Sequence, residues 1–245
     1  MDKLRQTATM AAGLVLIYLG ILNAVYGDSL LSWQPTPSGA PWKAPFAYLS
    51  AVILIVAGTG ILLPQWRTKS AMLGGGWIGL WALLLHLPHV VTQHDTAALL
   101  GMDEASANAV GLATLTGCFD ASRRALLLRL MYGLCLVIFG ASHFVYAGFT
   151  AQMVPAWLPD RLGLAYFTGA IHVLTGACLL AGIRTRLAAT IDALMMMSFV
   201  LLVHVPGALT APQDRIQLTM LGMAGLLTTA GWLVASWKSL RSEVP

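Results

Sequence analysis

Seven stretches of this chain run without a single Asp, Glu, Lys or Arg: residues 6–27, 44–66, 70–94, 130–159, 162–183, 193–213 and 216–237. Each supplies the roughly 20 residues that an α-helix needs to cross a hydrocarbon core about 30 Å thick. In lipid the backbone must satisfy its own hydrogen bonds, so runs of this length and composition imply helices. Charged residues make up 10% of the chain, against about a quarter in a soluble domain, too few to cover a water-facing surface. The sequence therefore reads as an all-α integral membrane protein.

A second constraint is that the chain is written twice. Residues 47–63, AYLSAVILIVAGTGILL, are echoed by 165–181, AYFTGAIHVLTGACLLA, at a spacing of 118. LLLHLP ending at Pro88 returns as LLVHVP ending at Pro206, and Arg67-Thr68-Lys69 returns as Arg184-Thr185-Arg186. Gly20 to Tyr26 runs parallel to Gly140 to Tyr146, and Gly111 to Gly117 parallels Gly225 to Gly231. The landmarks keep one order in both halves, as duplication requires. The copy relation also supports a weak eighth span at 105–119, whose counterpart at 216–237 is long and apolar. The expected architecture is eight transmembrane helices, as repeats 1–122 and 123–245. An even number of spans per repeat makes the two copies parallel, with a pseudo-two-fold axis along the membrane normal.

Charge placement sets the orientation. With the N-terminus inside, eleven of the fourteen basic residues, Arg241 among them, fall on the inner side; only Lys43, Arg161 and Arg215 fall outside. Both termini are then cytoplasmic, in a bacterial-type inner membrane. Asp28, Asp95, Asp103, Glu104, Asp160 and Asp214 collect in the outer loops. The net charge of +4 then belongs to loops facing anionic lipid, and no nucleic-acid partner is implied. The basic start and apolar run resemble a secretory signal, but no small-x-small cleavage site follows and the segment has its copy near Leu134–Tyr146, so a retained helix is expected.

No phosphate loop, nucleophile triad or paired-carboxylate motif is present, and Cys118, Cys135 and Cys178 have neither dithiol nor metal-ligand spacing. What remains is a set of polar groups within the spans, where ionisable side chains mark cavities and ligands. His86, His143 and His204 come near the outer ends of their helices, and Asn23 is the counterpart of His143. His172 lies deeper, where the first copy has Leu54. Each also has a plain structural reading. His86 and His204 sit before Leu-Pro and Val-Pro, where an imidazole can meet water or a freed carbonyl. Asp192, less than two turns from Arg186, is either the partner of a basic inner loop or a proton relay.

An outer belt of Asn23, Tyr26, His143 and Tyr146 suits the hydrogen-bonding head of a quinone, with His172 as the deep contact. A bis-His haem fits the residue types, but no two histidines can be set face to face by spacing, so quinone leads. The second half, with Gly140-x-x-His143-Phe144, Pro155-x-Trp157-Leu158-Pro159, Ala165-Tyr166-Phe167-Thr168-Gly169 and Arg184-Thr185-Arg186, resembles the DoxX and DoxX-like membrane proteins. That resemblance implies a four-helix unit associated with quinone-linked redox systems, here in tandem with a divergent first copy. The expected function is a quinone-linked membrane subunit with a redox protein partner. The alternatives are a carrier or channel for a small apolar or weakly acidic solute, and a membrane scaffold.

Overall fold

A computed structural model describes residues 3–120 and 122–240; Arg241 and the first two residues lie outside the described residues. Among the described residues there are nine helices and no strand. Seven are long and apolar enough to cross a membrane, which fits a multi-pass membrane protein. These are α1 (Lys3–Tyr26), α2 (Lys43–Leu62), α3 (Arg67–Gln93), α5 (Ser122–Val145), α7 (Arg161–Ala181), α8 (Thr185–Thr210) and α9 (Arg215–Ala235). The other two are α4 (Thr96–Ala113) and the short α6 (Ala147–Met153).

The fourth helix differs from the sequence expectation. It starts at Thr96 instead of residue 105 and ends at Ala113, so Asp103 and Glu104 are helical and not in an outer loop. The start is set by Asp95, whose carboxylate accepts a hydrogen bond from the Ala98 N–H at 2.7 Å and so serves one of the open donors of the first turn. Asp160 and Asp214 cap α7 and α9 in the same way. Three of the acidic residues expected in outer loops are thus helix caps, placed where the helix dipole favours negative charge. Asp103 is buried, because α4 packs between α3, α5 and α9.

Helix α9 is the centre of the bundle, with 72% of its apolar window buried against 50% or less for every other span. It packs on α1, α4 and α8, while α5 packs on α4 and α7. Two crossings rest on glycine. A Cβ on Gly13 of α1 would lie 2.8 Å from the Gly58 carbonyl oxygen of α2, and one on Gly176 of α7 would lie 2.7 Å from that of Gly133 in α5. Backbones meet directly there, as small residues permit between membrane helices.

Helices α3 and α8 each contain one π-helical turn, at Trp81–His86 and Val200–His204. A proline follows two residues later in each, Pro88 and Pro206. Its ring and missing N–H disturb the α-helical ladder one turn back, and the wider turn absorbs the disturbance. Both π turns aim their closing histidine inward: His86 is 2% exposed and His204 9%.

Candidate functional site

The helices of the second half part to leave a cavity of about 860 Å³, closed on one side by α4 and Trp33. Its walls are largely apolar, with Phe139, Phe167, Met195, Leu202, Met220 and Leu227 among them. Helix α6 and the segment after it roof the space through Phe149, Met153, Pro155 and Leu158. Against this background the polar groups stand out: His143 from α5, Tyr146 from the turn between α5 and α6, His172 from α7, His204 from α8 and Glu104 from α4.

His172 is held by Asp192. Its Nδ1 lies 2.7 Å from Asp192 Oδ1, with the side chains 2% and 0% exposed. With the Nδ1–H donated to the carboxylate, Nε2 carries the lone pair, and among the described residues it has no protein partner. Asp192 Oδ2 is buried with no hydrogen bond, and the Tyr132 hydroxyl lies beside that carboxylate. Asp192 therefore serves a histidine across the helix pair and not the basic inner loop.

His143 is fixed by a different route. Thr168 donates its one hydroxyl proton to the carbonyls of Leu164 and Ala165, at 3.0 and 3.1 Å, leaving its oxygen as acceptor. His143 Nδ1, 3.0 Å from that oxygen and 3.3 Å from the Ala165 carbonyl, must then be the donor. Its Nε2 is an acceptor as well. The two imidazoles meet edge to face, with centroids 5.3 Å apart, and Phe139 and Phe199 pack against them at 5.6 and 6.1 Å. Two oriented imidazole acceptors thus sit in an aromatic frame at the cavity wall. His204 adds a third imidazole, with no hydrogen bond to the described residues. An oriented neutral imidazole backed by a carboxylate accepts a proton from a ligand O–H and stabilises the resulting imidazolium, the logic of a His–Asp pair in any setting.

The other two residues singled out in the sequence lie elsewhere. Asn23 is fully buried in the first half, donating to the Asp28 carbonyl and to Gln34 Oε1, both at 2.9 Å. His86 Nε2 donates to the Trp33 carbonyl at 3.0 Å, a structural bond that leaves the ring outside the cavity. Sequence reading missed Glu104, which lines the cavity beside the Trp33 indole. The signal for it was Asp95-Thr96, an N-cap that starts α4 early and puts Glu104 more than two turns inside. Among the described residues no three His, Cys, Asp or Glu side chains converge as a metal-ligand set.

A family model described as a domain of unknown function, DUF8561, matches residues 132–235, the segment from within α5 to the end of α9. This overturns the resemblance to the DoxX proteins, for which no match is found. The landmarks behind that resemblance have general structural causes. A Cβ on Gly140 would lie 2.6 Å from the Gly169 carbonyl oxygen, so this pair marks a close helix crossing. Arg184 turns the chain between α7 and α8 with a left-handed φ of 45°. No curated protein and no solved structure matches the chain.

Proposed function

We propose that this protein is a multi-pass inner-membrane protein that binds an apolar ligand with a quinol-type hydroxyl head in its second half and exchanges a proton with it through His172 and Asp192. The observation that carries the reading is the buried 2.7 Å His172–Asp192 contact, which leaves an unpartnered imidazole nitrogen at an apolar cavity. His143 is the second acceptor for the head, Tyr146 and His204 flank it, and the aromatic and methionine walls take the apolar body. The chain is read as eight spans in two parallel four-helix repeats, with both termini cytoplasmic. Asp103 and Glu104, costly at membrane depth, are supported in α4 because that helix is enclosed by α3, α5 and α9. A redox protein partner on the outer side would complete a quinone-linked role.

The test is to extract the detergent-purified protein with organic solvent and assay quinone, alongside a control membrane protein purified in the same way. Quinone approaching one per chain, lost in His172→Leu at unchanged helical content, supports the proposal. Wild-type protein with no more quinone than the control refutes it. Proton-coupled uptake of a weakly acidic apolar solute into proteoliposomes, which the same His–Asp pair would serve, would then replace it.

A further inference from the structure

In the first half the positions that match the cavity's polar wall are bridged by a side chain, Gln34. Gln34 lies on the loop between α1 and α2, yet it is 0% exposed. Its Oε1 accepts from Asn23 Nδ2 and from the Leu30 N–H, both at 2.9 Å. Its Nε2 donates to Ser50 Oγ at 2.7 Å, and Ser50 also accepts from the Trp77 indole at 3.1 Å. The turn that delivers Gln34 holds Leu31 at φ 52°, a left-handed conformation that a leucine adopts only under constraint.

The register that pairs 47–63 with 165–181 sets Ser50 against Thr168 and Leu54 against His172. Continued into the next helix it sets Gly74 against Asp192, Trp77 against Met195 and Trp81 against Phe199. Asn23 stands against His143. In the second half His143 and Thr168 bond each other directly, beside the open space. In the first half their counterparts are bridged by the Gln34 carboxamide. The His–Asp pair is replaced on both sides, by Leu54 and Gly74, so no unpaired partner is left behind. Larger aromatic rings, Trp77 and Trp81, stand where the cavity has Met195 and Phe199. The corresponding segment of the second half roofs its cavity mainly with apolar side chains, Phe149, Met153, Pro155 and Leu158, and none of its side chains bridges His143 to Thr168.

We infer that the first half contains a carboxamide-binding site formed by Asn23, Ser50 and the Leu30 N–H, permanently occupied by Gln34 as a tethered ligand, so that each chain offers one exchangeable pocket. The inference rests on the two-repeat reading of the proposed function but not on the identity of the second-half ligand. A primary amide is the class that fits: one acceptor meets two donors while one donor meets a hydroxyl, with no charge.

The test is chemical rescue. Thermal unfolding in detergent is measured for wild type, Gln34→Ala and Gln34→Met, with and without propionamide. Gln34→Ala should lower Tm by about 5 °C, through lost hydrogen bonds and lost packing. Propionamide should restore it in a dose-dependent way while leaving wild type unmoved, and adding Asn23→Ala should abolish the rescue. Gln34→Met, which keeps the bulk but not the amide, should lose a comparable amount and not be rescued. A folded Gln34→Ala indifferent to propionamide overturns the inference. So does a Gln34→Met as stable as wild type, a result that decides the matter even if the alanine variant fails to fold. None of these readings needs quinone, so failure of the ligand proposal and failure of this site are told apart.

Discussion

The His172–Asp192 contact can be tested as a pair by a double-mutant cycle. Replacing His172 by Leu, the residue at the matching first-half position, leaves the Asp192 carboxylate buried without its hydrogen bond from the imidazole. Replacing Asp192 by Ala leaves the imidazole N–H unanswered; Ala is chosen over the Gly of the first half to avoid about 1 kcal/mol of helix propensity. Breaking a buried ion pair costs about 3–5 kcal/mol in soluble proteins, whereas removing both partners can be nearly neutral. Hydrogen-bonded pairs between membrane helices are weaker, reaching about 1.7 kcal/mol. This pair is 2.7 Å long, sets an imidazole N–H on a carboxylate and excludes solvent, so a coupling of about 2 kcal/mol is expected. For a chain of this length each kcal/mol is worth about 2–4 °C, which puts the double variant about 4–8 °C above the sum of the two single losses. The assay is thermal or denaturant unfolding of all four proteins in one detergent. Losses that add to within about 0.5 kcal/mol would show that the two side chains do not act as a unit.

Three further predictions concern the scaffold. Burial alone would raise the Asp28 carboxyl, but Lys43 at 2.8 Å and Arg215 at 2.9 Å hold it down to about 2, below its usual 3.8. A depressed carboxyl contributes above its unfolded pKa and loses that contribution as pH falls through the folded one. Asp28→Asn should therefore cost about 1 kcal/mol above pH 4, discounted for partial exposure, and converge on wild type as pH falls below about 2; equal melting temperatures at pH 7 would disprove it. Gly176→Val should separate α5 from α7 and cost at least about 3 kcal/mol, read as loss of monodisperse protein or a large fall in Tm. Asp95→Ala should cost about 1 kcal/mol by uncapping α4, and no change in Tm would refute a helix start at Thr96.

The spans were legible because charge cannot be hidden from lipid cheaply: the charge-free run 6–27 starts three residues after helix α1 does and ends one residue beyond it, and 44–66 begins one residue after the start of α2. The same reasoning misplaced α4. Asp103 and Glu104 look like loop residues until other helices enclose them, and enclosure is not written in local sequence. His143 and His172 were readable as polar groups in apolar surroundings. That His172 faces Asp192, twenty residues on and in the next helix, depends on how α7 and α8 are rotated about their axes. Gly133, Gly140 and Gly176 set how closely α7 meets α5, through contacts with residues far away in sequence. Gln34 was harder still, since a loop glutamine gives no sign of being swallowed. The resemblance to a redox family failed because its landmarks were glycines and prolines that serve helix crossings and turns of many kinds.

The packing of α1 on α9 also bears on how the protein is made. Arg5 donates to the Leu233 carbonyl at 3.1 Å and Tyr18 to that of Leu218 at 2.9 Å, contacts that join the start of the chain to its last long helix. Helix α1 therefore leaves the ribosome well before α9, and waits through the synthesis of α2 to α8 before that partner exists. During that interval its inward face, with Thr9 and Tyr18, meets lipid or an insertion chaperone. Synthesis and assembly are thus separated in time: the N-terminal half enters the bilayer first, and its packing closes only when the C-terminal half arrives.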